Sequence, residues 1–196
     1  MRPIRLLSAL VMAATFPAVA QPAPGERYYL NVPASWQETA RQDVQGAEVV
    51  AYVPPGQTVE AWTDMLTVQV FPDMTALPAS AFYDRTRRNY QEICANARAG
   101  TMQTGLSNDY PSAFWVLGCG QHGQTGVGET SFVRLIQGNH ALYLVQRTWR
   151  TQPYAADQTP PVSPEAQQEA MAVLASFGVC DPTTPGHPCP ATAPQR

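Results

Sequence analysis

Between residues 113 and 150, apolar side chains recur at a period of two in three consecutive runs, AFWVLGC, TSFVRLIQ and ALYLVQRTWR. This is the period of antiparallel strands, and it predicts a three-stranded meander with Gly138-Asn139 as a two-residue hairpin turn. Placing the turn there sets Gln137 opposite His140, Leu135 opposite Leu142, Arg134 opposite Tyr143 and Phe132 opposite Val145. One face then carries Val133, Leu135, Leu142 and Leu144, the expected helix-covered core. The other carries Phe132, Arg134, Ile136, Tyr143, Val145, Arg147 and Trp149, a mixture of apolar and cationic side chains that makes it the candidate functional surface.

Shorter alternating runs predict strands over 28–32, 48–53 and 65–71, and a weaker one over 101–107 that Gly105 interrupts. Residues 37–47 are polar and predict a loop. From 78 to 97 the period changes: Phe82, Thr86, Tyr90, Ile93 and Ala97 recur at helical spacing, with Cys94 in the last turns close to the buried face. A second helix has clear boundaries, with Ser163 as N-cap, Pro164 at the first helical position and Gly178 just past the end. Residues 120–128 carry so many glycines that they predict a mobile loop, and 151–162 form a Pro/Gln-rich linker. The fold class is α+β, an antiparallel sheet of about six or seven strands with two main helices packed on it.

Residues 1–20 have the layout of a signal peptide. Arg2 and Arg5 precede an apolar stretch over 6–16, and Ala18-Val19-Ala20 is an A-x-A cleavage site, so the mature chain begins at Gln21. Residues 21–180 then form one α+β domain and 181–196 a Pro-rich tail. No second run of about twenty apolar residues follows, so no integral membrane segment is expected after cleavage. Losing the two signal arginines takes the formal charge from −3 to about −5, which gives a nucleic-acid partner no electrostatic support. All the basic residues are arginine; there is no lysine. Periplasmic or secreted localisation follows, and four cysteines in an exported chain imply disulfides. Of three possible pairings, Cys94 with Cys119 and Cys180 with Cys189 is favoured, because DPTTPGHP brings the last two together locally.

Catalytic signatures are sparse: there is no G-x-S-x-G, H-E-x-x-H, Walker loop or C-x-x-C, and no cofactor is expected. His122, with Glu129 and Asp109, is the one grouping that resembles a metal or acid/base site. The aromatics make a stronger case. Arg147 and Trp149 are residue types enriched at interface hot spots, and Arg134 can lie over Tyr143.

The opening YYLNVPASW, residues 28–36, resembles the aromatic-strand-Pro-x-x-Trp start of the PsbP-like superfamily, and the order of elements is similar to that fold across most of the mature chain. The resemblance implies an antiparallel sheet with helices packed on it, in a group whose members act as accessory or partner-binding proteins. The expectation is therefore a non-catalytic accessory protein of the cell envelope with an unknown protein or envelope component as partner, binding through Arg134, Tyr143, Arg147 and Trp149. The alternative is a metal-dependent hydrolase centred on the His122 loop.

Overall fold

A computed structural model describes residues 25–191. The expected signal segment, its cleavage site and residues 192–196 lie outside the described residues. The meander predicted for 113–150 is the spine of the molecule, as β7 (Tyr110–His122), β8 (Gly128–Gln137) and β9 (Leu142–Thr151). β2 (Gln37–Val44), β3 (Ala47–Val53) and β4 (Asp64–Phe71) extend it on one side, and β5 (Cys94–Ala99) and β6 (Gln103–Ser107) on the other. The result is an eight-stranded sheet in the order β2-β3-β4-β9-β8-β7-β5, with β6 also paired to β7. β7 is long enough to hold both short strands end to end, β5 along its 117–122 half and β6 along 110–114. A two-stranded sheet joins β1 (Arg27–Tyr29) to β10 (Gly178–Cys180), and every strand pair is antiparallel.

The two helices lie on opposite faces of the sheet. α1 (Ala79–Ile93) covers Trp115, Leu117, Val133, Leu135, Leu142 and Leu144, with Phe82 and Tyr83 set against the Trp115 ring at centroid distances of 6.3 and 5.7 Å. α2 (Pro164–Ser176) covers Phe132, Ile136, Tyr143, Val145 and Trp149 through Ala170, Val173 and Leu174. It begins where its cap predicts: the Ser163 side chain accepts from the Ala166 N–H at 3.2 Å and Pro164 stands at the first position.

Several expectations are corrected. Residues 37–44 form β2, not loop. They turn back through Gln45 and Gly46, whose φ values of 55° and 82° are those of a two-residue hairpin turn, and Asp43 Oδ1 accepts from Gly46 N–H at 2.9 Å. The first helix stops at Ile93 and the chain continues as strand, so Cys94 leads the edge strand β5 and its bridge to Cys119 staples β5 to β7. The β8–β9 connection is four residues long, closed by Gly138 N–H donating to Ala141 O at 2.9 Å. Leu135 therefore opposes Leu144 and Arg134 opposes Val145. The register is displaced by two residues, an even number, so each side chain keeps the face expected of it. Neither Gly138 nor Asn139 has positive φ. Gly138 is needed for space: an added Cβ would collide with the Glu26 carboxylate, which accepts from the Asn139 and His140 N–H groups at 2.6 and 3.0 Å.

Gly120 and Gly128 serve close packing, and the loop expected there shrinks to residues 123–127. Tyr154, in the connection that leads to α2, lies across Gly118, Gly120 and Gly128. It donates its N–H to Gly120 O at 2.9 Å and its hydroxyl to Glu129 O at 2.8 Å. A Cβ on Gly120 would stand 2.4 Å from the Tyr154 carbonyl oxygen, a backbone atom with nowhere to go. Gly120→Ala is expected to cost about 1–3 kcal/mol through this overpacking. Gly126→Ala meets only its positive φ of 72° and open space, and should cost about 1 kcal/mol. Urea titrations of the two variants compare them directly.

Candidate functional site

The mixed face of the meander is roofed by α2 and is core, which corrects the expectation of an open binding surface there. Tyr143 packs on Tyr28, and Trp149 sets its edge against Phe132 at 5.3 Å. Arg147 is only 3% exposed. Its guanidinium makes a two-pronged contact with Asp64 of β4, at 3.1 and 2.8 Å, and reaches Glu169 of α2 at 3.3 Å. It also lies between two indoles, 4.8 Å from the Trp36 ring and 5.3 Å from that of Trp149. Burial alone would pull this guanidinium down, but the two carboxylates outweigh it and hold it above the ordinary range. Arg147 thus ties β9, β4 and α2 together, and three of the four expected binding residues are structural.

Arg134 differs. It stands at the margin of the same face, half-buried, and donates to the carbonyls of Leu174 and Ala175 at 2.7 and 3.0 Å, in the last turn of α2. This is the ordinary way a cation closes a helix C-terminus. Among the described residues no carboxylate forms an ion pair with it, and burial lowers its pKa. It lines a cleft of about 190 Å³ with Gln103, Thr104 and Gly105 of β6 and Ser112 and Phe114 of β7.

The His122 grouping does not assemble. Asp109 and His122 bracket β7, and strand rise puts them roughly 40 Å apart. Glu129 pairs with Cys119, three positions before His122, so the two side chains leave opposite faces of the sheet. Glu129 is also engaged by Arg150, at 3.2 Å, while Arg150 lies 3.8 Å over the Trp62 ring. The His122 Nδ1 accepts from Gln124 N–H at 3.2 Å. No group of three His, Cys, Asp or Glu among the described residues could hold a metal ion, and the hydrolase alternative has no site here.

A polar chain lies beneath α1. The Tyr90 hydroxyl meets Ser131 Oγ at 2.9 Å, Ser131 meets Thr148 Oγ1 at 2.8 Å, and Gln146 Nε2 donates to both. Burial pushes the Tyr90 phenol up to about 12, against the Ser131 hydrogen bond that would lower it; Tyr28 is likewise raised to about 12 by burial. A raised folded-state pKa contributes stability that is complete below pH 10 and lost as pH rises through 12. For Tyr90 this is about 2–3 kcal/mol. Without lysine, no side-chain amine titrates across this transition. Denaturant midpoints at pH 9 and pH 12 should differ less in Tyr90→Phe than in the wild type.

The sheet has two free edges, and they are built differently. At β2, Arg41 bonds Glu38 at 2.9 and 3.0 Å and also pairs with Glu48, and the register is broken between Glu38 and Ala40. Charge and a bulge are devices that keep an edge from accepting another strand. On the opposite edge, β5 is overlaid by the connection to α2: Arg98 donates to Ala156 O and Gln158 O at 2.9 and 2.8 Å. β6 has neither protection. Residues 103–106 are all exposed, Leu106 to 69%, and QTGLS contains no charge. Among the described residues no strand pairs with its outer side. The β6 edge did not stand out in the sequence, where its only signal is a short polar run without a gatekeeping charge.

No family profile and no curated protein sequence matches the chain. Solved structures resemble it in fold. Saccharomyces cerevisiae Ran-binding protein Mog1p aligns at 12% identity over 76% of this chain and 88% of that one, with a TM-score of 0.47. Cyanobacterial PsbP from Synechocystis sp. PCC 6803 aligns at 13% identity over 85% and 98%, with a TM-score of 0.42. LpqN of Mycobacterium tuberculosis, a protein involved in cell envelope biogenesis, aligns at 10% over 80% and 86%, with a TM-score of 0.40. The PsbP-like resemblance is one of fold.

Proposed function

We propose that the protein is an exported, non-catalytic accessory domain that binds a protein partner in the cell envelope. What supports this is the asymmetry of the sheet: one edge is closed by charge and a bulge, and the other is left open over an uncharged strand with an exposed leucine. Proteins guard strand edges against unwanted pairing, so an unguarded edge beside a guarded one is a surface on which pairing is useful. Export is supported by the signal-like residues 1–20 and by two disulfides, Cys94–Cys119 and Cys180–Cys189. No helix among the described residues is long and apolar enough to cross a membrane.

Cell fractionation with N-terminal sequencing, followed by affinity capture on the immobilised mature chain, tests this. The expected result is a chain beginning at Gln21 in the periplasm or medium, and a discrete protein whose retention is saturable and competed by free chain. A chain that keeps its first twenty residues in the cytosol overturns the export part. Retention no better than on heat-unfolded chain overturns the binding part.

A further inference from the structure

Resting on the partner-binding reading, we infer that β6 receives an extended segment of a partner protein as an added strand, and that Arg134 selects segments carrying an aspartate or glutamate beside Gly105. The geometry of the cleft carries this. Side chains alternate across the sheet, so Gln103, Gly105, Phe114 and Arg134 share the α2 side, while Thr104 and Leu106 share the α1 side. Gly105 lies in the neighbouring row, opposite Ser112, and leaves the α2 side of the edge without a side chain there, beside the Gln103–Phe114–Arg134 row; the cleft joins this gap to Arg134. Leu106 offers apolar contact to alternate side chains of the same added strand.

Charge determines which side chain enters. The C-terminal carbonyls of α2 present only about half a negative charge to Arg134. Arg147 and Arg150 each have a carboxylate partner; Arg134 has none among the described residues and, unlike Arg98, which is also held only by backbone carbonyls, it lines the cleft beside the open edge. A carboxylate entering over Gly105 completes the pair in a half-buried cleft. There a charge-assisted hydrogen bond is stronger than a neutral one. An added strand of five residues supplies backbone hydrogen bonds without sequence preference, so the acidic position is what gives specificity.

The gap at Gly105 can be closed without strain. Its φ is not positive, and an added Cβ finds only Ser112 Oγ, at 3.9 Å. Gly105→Leu therefore fills the path to Arg134 while leaving the α2 cap untouched.

The test is an NMR titration of the mature, oxidised protein with blocked nonapeptides of alternating Thr and Val, carrying Glu, Gln or Lys at the centre. The amides of residues 103–107 report binding. The Glu peptide is expected to shift these amides and to bind about tenfold more tightly than the Gln peptide, with the Lys peptide weakest; the Glu preference falls at 0.5 M salt. Arg134→Gln should erase the difference between Glu and Gln. Because that variant also loosens the α2 cap, Gly105→Leu serves as the independent check and should weaken the Glu peptide to the level of Gln. Equal binding of the Glu and Gln peptides, shifts located away from β6, or no shift at all overturns the inference. A partner captured from the envelope that binds Gly105→Leu as well as it binds the wild type overturns the site but leaves the partner-binding function standing.

Discussion

Arg147→Ala is expected to lower stability by about 3–5 kcal/mol, the cost of leaving the largely buried Asp64 carboxylate without its cation and of emptying a packed site. In a domain of this size that is a fall of roughly 6–20 °C in Tm. Two effects combine. Asp64 loses both prongs of its contact and Glu169 loses the arginine that anchors α2 to the sheet. The space between the Trp36 and Trp149 rings also empties, and the guanidinium that faced both indoles goes with it. Arg147→Lys should recover little, because an ammonium cannot present two parallel donors to Asp64 or lie flat between two rings. Arg147→Met with Asp64→Asn should be milder than Arg147→Ala, since it removes the buried charge together with its partner. Calorimetric melts of the four proteins decide it. If the double variant proves no more stable than Arg147→Ala, packing dominates at this site and the ion pair does not.

The second large effect is the Cys94–Cys119 bridge. It closes a separation of 25 residues, and on the chain-entropy model its removal costs about 3.5 kcal/mol, roughly 7–14 °C. The Cys180–Cys189 bridge closes only 9 residues and should cost about 2.6 kcal/mol. The two losses should differ in kind as well as size. Without the first bridge, the edge strand β5 separates from β7, and hydrogen exchange should quicken at residues 94–99. Without the second, the tail is released from the β6–β7 turn. There His187 stacks on Tyr110 at 3.8 Å, and Asn108 Nδ2 donates to Val179 O and Pro188 O. Paired Cys→Ser variants measured by urea titration and hydrogen exchange test both statements.

The meander, the boundaries of α2, both disulfides and the antiparallel α+β class were legible because strong local signals carried them: period-two alternation, a Ser-Pro cap and the spacing of cysteines. Three features were not. β2 is exposed along its length, so no apolar alternation marks it, and Gln45-Gly46 is a weaker turn signal than Asn-Gly. The β8–β9 turn is longer than its Gly-Asn pair suggests, because Gly138 is there to admit Glu26, from the far end of the chain, and no local pattern records that approach. The burial of the mixed face has a related cause. Arg147 looks like surface chemistry beside Trp149, and only the arrival of Asp64 and Glu169 from other elements makes it a buried tie. Arg134, on the same face, is only half-buried because α2 ends above it.

The pairing of β1 with β10 joins the two ends of the domain, Arg27 against Cys180, across about 150 residues of intervening chain. A chain that crosses a membrane as an unfolded thread delivers those ends at different times, so this small sheet cannot close until the last strand has emerged. Glu26, next to β1, secures the β8–β9 loop, and the Cys180–Cys189 bridge follows directly on β10. For a chain exported as proposed, the final fastening of the fold, sheet, carboxylate tie and second disulfide together, would close only where translocation is complete and thiols are oxidised.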